Sequence, residues 1–304
     1  MLLEHLTNYC DEKYQEQCAR GKCSIDECTH DHGSCPQPGE NKCELCLREV
    51  HYHHPNGRKD YTCDKIVNYY VCRYAHKYAS EIAYSFDVLD CLSTYDKFNI
   101  LSIGCGPAPD LMAFEKYNME HNSVPITYIG FDVNPRWKPI HQEIVNYCGS
   151  TGMKAQFVPE DAVEYFRTNK VFKANVLVLE YVVSHFICTE QFDQLDQFFS
   201  DVAEHIVAFM EKDAVIIIQD TNHYKLGRDD FVRLVRSIWA RGQKFKRYKR
   251  YFDFNINNNE QKYRKPYPST VLKYRPSRHL QETYCSPRDC CGGVQLLLEL
   301  EVKK

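Results

Sequence analysis

The sequence lacks most of the features that would take it out of the soluble globular class. In 304 residues no stretch approaches eighteen uninterrupted apolar positions, which argues against a membrane-spanning helix and against a membrane partner. The first residues, Met1-Leu-Leu-Glu-His-Leu6, have no basic region leading into an apolar core. No secretory leader is therefore read, and a reducing compartment, cytoplasmic or nuclear, is expected. There is no internal repeat, and Asn255-Ile-Asn-Asn-Asn259 is too short to count as low complexity. What remains is a chain with 43% hydrophobic residues and room for a full α/β domain plus a smaller module.

Sixteen cysteines stand against these absences. Nine of them (Cys10, Cys18, Cys23, Cys28, Cys35, Cys43, Cys46, Cys63 and Cys72) fall in the first 72 residues, with six of the thirteen histidines. Without a leader, such crowding reads as metal binding before disulfides. Residues 1–62 show little hydrophobic periodicity, so metal is expected to organise them as a module of their own. The net charge is only −3, yet between Arg241 and Arg278 twelve Lys and Arg face two acids, Asp253 and Glu260, a local balance of +10. Such a tract suits a polyanionic partner; a solvated basic face is the plainer reading.

From residue 63 the pattern becomes regular. Ile66, Tyr70, Tyr74, Tyr78, Ile82, Phe86 and Leu89 recur at helical steps and predict a lead-in helix over 63–91. Strands are predicted at 99–103, 126–131, 154–158, 174–179 and 214–219, with helices at 111–120, 136–149, 162–168 and 191–211 between them. Near-continuous apolar strands such as Val176-Leu-Val-Leu179 and Val215-Ile-Ile-Ile218 imply burial on both faces, hence a mostly parallel sheet with helices on either side. After a helix at 229–241 the period shifts to strands, ending in Val294–Val302 as an antiparallel closing pair. The expected architecture is a Rossmann-like α/β domain over 63–304, preceded by a small Cys/His module at 1–62.

One stretch points to chemistry. Asn99-Ile-Leu-Ser-Ile-Gly-Cys-Gly-Pro-Ala-Pro-Asp110 is an apolar run ending in Gly104-x-Gly106, followed by a helix. A second apolar run, Ile126–Phe131, ends in Asp132. A strand closing on a glycine turn, and its neighbour closing on an acid, is how open α/β sheets present a nucleoside site. A dinucleotide fingerprint would want a third glycine at 109, where Pro109 stands, and an earlier acid. Pro107 and Pro109 stiffen the turn instead.

This arrangement resembles the class I S-adenosylmethionine-dependent methyltransferases over roughly residues 63–304. The resemblance implies that Gly104, Cys105 and Gly106, with Pro107, border the methionine and ribose of the donor. Asp132 would accept from both ribose hydroxyls, and Asp161, with Ala162 behind it, would meet the adenine amino group. Asp161 reads equally well as the N-cap of the helix that follows it. Glu180 and Tyr181, ending the fourth strand, would face the transferred methyl. The family's acid in the first strand is replaced by Ser102, and Asp110 is the nearby acid that would compensate. The fourth strand runs Leu179-Glu-Tyr-Val-Val-Ser-His185, without the Asn/Asp-Pro-Pro-aromatic motif of enzymes that methylate base amines. Candidate proton acceptors there are Glu180, Tyr181 and His185, the last titrating nearest neutrality, followed by Asp220 and Asn222. Cys188 has nothing local to activate it as a nucleophile.

In the N-terminal region Cys23-x4-Cys28-x3-His32, preceded by Gly21-Lys22, resembles a CCCH zinc finger, with Cys10 or Cys18 as its first ligand. A Cys43-x2-Cys46 knuckle with Cys63 and either His53 or Cys35 makes a second candidate set. Cys72 and His76 are further candidate ligands, and an iron–sulfur cluster is the minority reading. Two structural zinc ions are expected. Together these features predict a zinc-containing methyltransferase acting on nucleic acid, RNA before DNA, through the module and the tract at 241–278. The alternatives are a non-catalytic RNA- or ribosome-binding protein that keeps the fold, and a methyltransferase of proteins or small molecules.

Overall fold

A computed structural model describes residues 1–19, 43–51, 61, 63–169, 172–188, 190–221, 230–252, 271–287 and 293–301. Among these residues the sheet holds seven strands: β1 (Phe98–Ile103), β2 (Ile126–Phe131), β3 (Lys154–Val158), β4 (Val176–Glu180), β5 (Val215–Asp220), β6 (Phe245–Phe252) and β7 (Gly293–Leu300). Their order is β3-β2-β1-β4-β5-β7-β6. The first five run parallel, while β7 is antiparallel to both β5 and β6. The expected Rossmann-like sheet with its antiparallel closing pair is the one observed.

Successive residues of the central strands feed opposite cores, as the pleat requires. Phe98 and Ile100 of β1 and Val176 and Val178 of β4 enter one core, whereas Leu101, Ile103, Leu177 and Leu179 enter the other. The first core is covered by α3 (Asp64–Ser85), α4 (Pro109–His121) and α5 (Lys138–Thr151). The second is covered by α6 (Ala162–Thr168), α8 (Phe192–Asp201) and α9 (Phe231–Ala240). Between β4 and α8 lies the short α7 (Val182–Cys188). Among the described residues no helix is long and apolar enough to cross a membrane.

The N-terminus departs from expectation. Residues Leu2–Ala19 form a helix, α1, lying along α3 with Leu2, Leu3, Leu6, Cys10 and Tyr14 in the first core. The Leu2 N–H donates to the buried Glu115 carboxylate at 2.7 Å, placing an acid at the helix N-terminus. Tyr14 packs against Tyr69 of α3 and Tyr284 of α10 (Arg278–Tyr284), with centroids 5.6 and 5.2 Å away. Apolar burial therefore holds residues 2–19 against the α/β domain, where a separate metal-organised module was expected. The spacing of Leu2, Leu6, Cys10 and Tyr14 is helical once Cys10 is counted as an apolar residue, which buried thiols commonly are.

Candidate active site

The strand order reverses direction between β1 and β4, and this switch point opens a crevice beyond the C-terminal strand ends. At the end of β1 the backbone turns through left-handed conformations at Gly104 (φ 65°), Gly106 (φ 47°) and Ala108 (φ 56°) before Pro109 starts α4. A Cβ at Gly104 would stand 2.8 Å from Val182 Cγ2, so only glycine fits there without a shift.

Asp132, just past β2, ties this turn down. Its Oδ2 accepts from the Gly106 N–H and its Oδ1 from the Asn134 N–H, each at 2.9 Å. His141 of α5 stacks on Phe157 (4.0 Å, 9°) and points Nε2 at the Gly106 carbonyl, 2.7 Å away. Burial lowers this imidazole to about 4, so it is neutral at pH 7 and donates Nε2–H to the carbonyl. The Cys105 thiol is buried under the turn, 4.0 Å from His141 Nε2. Burial, then the nearby Asp132 and Asp110 charges, push it well above the usual thiol range, so it is an inert packing group. Only the backbone of Cys105 can border a ligand.

Ser102 lies buried inside the sheet, and Asp110, on the first turn of α4, stands beside it. Asp110 is 1% exposed; its Oδ1 accepts from the Tyr128 hydroxyl at 3.0 Å while its Oδ2 is buried without a hydrogen-bond partner. Burial raises it to about 6, against the pull of the Ser102 and Tyr128 hydroxyls. Asp110 is therefore the acid that lies next to Ser102 at the start of α4.

The β4–β5 side is a cluster of buried acids. Glu180 ends β4, and both its carboxylate oxygens are buried without a hydrogen-bond partner. Burial, then the charges of Asp110 and Glu81, push it well above the usual carboxyl range. Tyr181 follows with φ 58°, a strained backbone for a non-glycine, held by its N–H on the Gln219 carbonyl at 2.7 Å. Its hydroxyl donates to Glu81 Oε2 at 2.7 Å. Glu81 of α3 is fully buried, accepts from Gln219 Nε2 at 3.3 Å and lies 3.8 Å from Lys77 Nζ. Asp220, at the end of β5, accepts from the Ser184 and Thr221 N–H groups at 2.9 and 2.6 Å. Burial raises it to about 6.

Aromatic rings join the two sides. Trp137, after Asp132, meets Tyr61 and Tyr70 at 5.3 and 5.6 Å. Tyr70 meets Tyr74 at 5.2 Å and Tyr78 at 5.9 Å, and Tyr78 reaches Tyr181 at 4.6 Å. The wall runs from the strand end carrying Asp132 to the one carrying Glu180.

Of the other candidates, His185 is exposed on α7, and Asn222 lies outside the described residues. Asp161 is exposed and caps α6, its Oδ1 accepting from the Glu164 N–H at 2.9 Å, with Ala162 buried behind it. Glu81, Lys77 and the tyrosines of α3 escaped the sequence reading as site residues. Their signal was an acid within a helix otherwise read as a stripe of aromatic core positions.

The metal reading fares differently. Cys10 is fully buried in the α1–α3 core beside Cys72, a packing role in place of the expected ligation. Cys18 and Cys43 both lie close enough to act on Tyr14, and Cys63 close enough to act on Cys43, whose thiol burial pushes up to about 11. Cys46 sits on α2 (Cys43–His51). Among the described residues no group of side chains could hold a metal ion. Cys23, Cys28, His32, Cys35 and His53 lie outside the described residues.

No family model matches the chain, and no curated protein matches it either. Among solved structures it is similar to the plantazolicin methyltransferase BpumL in complex with SAH, at 13% identity over 97% of this chain and 100% of that one, with a TM-score of 0.45. A methyltransferase from Pyrococcus furiosus shares 10% identity over 73% of this chain and 83% of its own, at TM-score 0.37. The YcgJ protein from Bacillus subtilis shares 13% identity over 71% and 98%, also at 0.37. Likenesses at this level leave the chemistry to be argued from the site itself.

Proposed function

We propose that the chain is an S-adenosylmethionine-dependent methyltransferase, with the donor lying across the C-terminal ends of β1, β2 and β4. The observation that carries this reading is the pinned pair of Asp132 and the Gly104–Gly106 turn at the switch point. A carboxylate fixed by two backbone N–H groups at a strand end presents acceptors to a ribose diol with no reorganisation. Gly104 is exposed at this turn, so a ligand can meet its backbone, with Trp137 packed behind Gly106. Asp110 answers the substitution at Ser102, which weakens the alternative that the fold has lost its ligand. The donor supplies a methyl group on a sulfonium; the chain's part is to hold it and to position an acceptor in line. Glu180 and Tyr181 are the groups placed to meet that acceptor.

RNA as acceptor draws on the basic tract at 241–278, of which 253–270 lie outside the described residues. The buried acids of the described crevice favour a protein or small-molecule acceptor over a polyanion. Zinc would draw on the cysteines and histidines outside the described residues; metal analysis of the purified protein tests it.

The reading is tested by equilibrium binding of radiolabelled donor to wild-type protein and to Asp132→Ala. Wild type is expected to bind below about 1 mM, the upper range of enzyme–substrate affinities, and the variant far more weakly. Absence of binding by wild type overturns the reading.

A further inference from the structure

We propose that the group this chain methylates is a nitrogen base that arrives protonated, an amine or guanidine, and that Glu180 is the carboxylate receiving it. This rests on the methyltransferase reading above. A buried carboxylate with neither oxygen hydrogen-bonded is costly and rare, and it sits at the end of β4 in the crevice itself. Around it stand three further buried acids: Asp110 from α4, Glu81 from α3 and Asp220 from β5. Lys77 is the cation acting on Glu180, but its ammonium is taken up by Glu81, 3.8 Å away. Among the described residues the crevice thus carries more acidic than basic side chains, and Glu180 is the acid with neither oxygen hydrogen-bonded.

Lys77 also shows what these residues do with an ammonium. Its Nζ lies over the ring of Tyr78 at 5.4 Å and of Tyr181 at 6.0 Å, with the Glu81 carboxylate alongside. The Glu180 charge acts on Tyr181 and on Tyr70, so a second cation there would come near similar groups: tyrosines and a carboxylate. A neutral hydroxyl acceptor would give Glu180 no counter-charge to ionise against, and a phosphate-bearing one would oppose its ionisation. Glu180 first takes a proton from the bound cation, which frees the nitrogen lone pair. The N–CH3 bond then forms as the S–CH3 bond breaks, the sulfur keeps the electron pair, the product leaves as the methylated cation, and Glu180 returns its proton to water. The donor's own α-ammonium has the same chemistry, so the test separates the two.

Full-length protein is incubated with labelled donor and a pool of degenerate peptides, polyamines and small guanidines, and in parallel with the same pool after amines are acetylated and guanidines blocked, and with RNA. Binding of S-adenosylhomocysteine to wild type and Glu180→Gln is measured by calorimetry. Label is expected in the unblocked pool alone. Glu180→Gln is expected to lower kcat/KM on the order of 100-fold, as removing one partner of a buried ion pair does, with S-adenosylhomocysteine affinity within about threefold and a melting temperature no lower than wild type. Label in RNA or in the blocked pool, or in no pool, overturns the proposal. So does a loss of S-adenosylhomocysteine affinity in Glu180→Gln as large as its loss of transfer, which assigns the carboxylate to the donor. Wild type that fails to bind S-adenosylhomocysteine overturns the methyltransferase reading itself, a separate outcome.

Discussion

The two sides of the crevice differ in how their carboxylates are met. On the β1–β2 side both oxygens of Asp132 take backbone N–H groups, and His141 holds the same turn from beneath. On the β4–β5 side Glu180 has neither oxygen hydrogen-bonded, although the neighbouring Asp220 is bonded to two backbone N–H groups. The difference teaches where ligand enters the energetics. The first side is organised by the protein alone, so the proposed donor would be met there with little rearrangement. The second carries a carboxyl group whose oxygens the described residues leave without hydrogen bonds, which is where an incoming cation is proposed to sit.

The comparison is broken most severely at Asp132. Asp132→Ala removes the acceptor of the Gly106 N–H as well as the diol contacts, and donor affinity is expected to fall about 100-fold, equivalent to about 3 kcal/mol, by calorimetry. Next come the two acids of the other side. Asp220→Ala leaves the Ser184 and Thr221 N–H groups unmet and is expected to cost about 2 kcal/mol of stability in urea unfolding. Glu180→Gln, by contrast, removes an unmet charge and is expected to leave stability equal or higher. Equal losses in the two variants would erase the distinction drawn between them.

A pH series sharpens the contrast. Asp110 and Asp220 are raised to about 6, so their ionisation opposes folding and the fold loses stability as pH rises from about 4 through 6. His76 and His141 are lowered to about 4, so they act in the opposite sense, and stability is lost as pH falls from about 6.5 towards 4. Asp110→Asn removes one buried charge. It is expected to be more stable than wild type by about 2 kcal/mol at pH 7, with the gain vanishing near pH 4. The smallest effect belongs to His141→Phe, which keeps the stack on Phe157 and loses the bond to the Gly106 carbonyl. A three- to tenfold drop in donor affinity is expected, about 1 kcal/mol, with the fold intact.

How much of this was legible in the sequence follows from how local each signal is. The parallel strands were readable because burial on both faces leaves nearly continuous apolar runs, as in Val215-Ile-Ile-Ile218. The β1–β2 side of the crevice was readable because its parts are a glycine turn and a strand-end acid, each marked by a few adjacent residues. The acceptor side was half hidden. Glu180 and Tyr181 stood at a strand end and could be named as candidates, whereas Glu81 meets Tyr181 across 100 residues and Gln219 across 138. Nothing in the helical period of α3 separates Glu81 from a solvated acid. The first helix was missed for another reason: Cys10 and Cys18 were counted with the metal ligands, and the apolar stripe on which Leu2, Leu6 and Tyr14 lie was broken by that choice.

The central claim is that the switch point is a donor site anchored by Asp132. The direct measurement is calorimetric titration of S-adenosylhomocysteine into the full-length wild-type protein and into Asp132→Ala at pH 7.5, about 1 unit or more above the raised carboxyls of Asp110 and Asp220. The account predicts one site per wild-type chain and about 100-fold weaker binding in the variant. Equal affinity in the two proteins, or no binding to wild type, would contradict it.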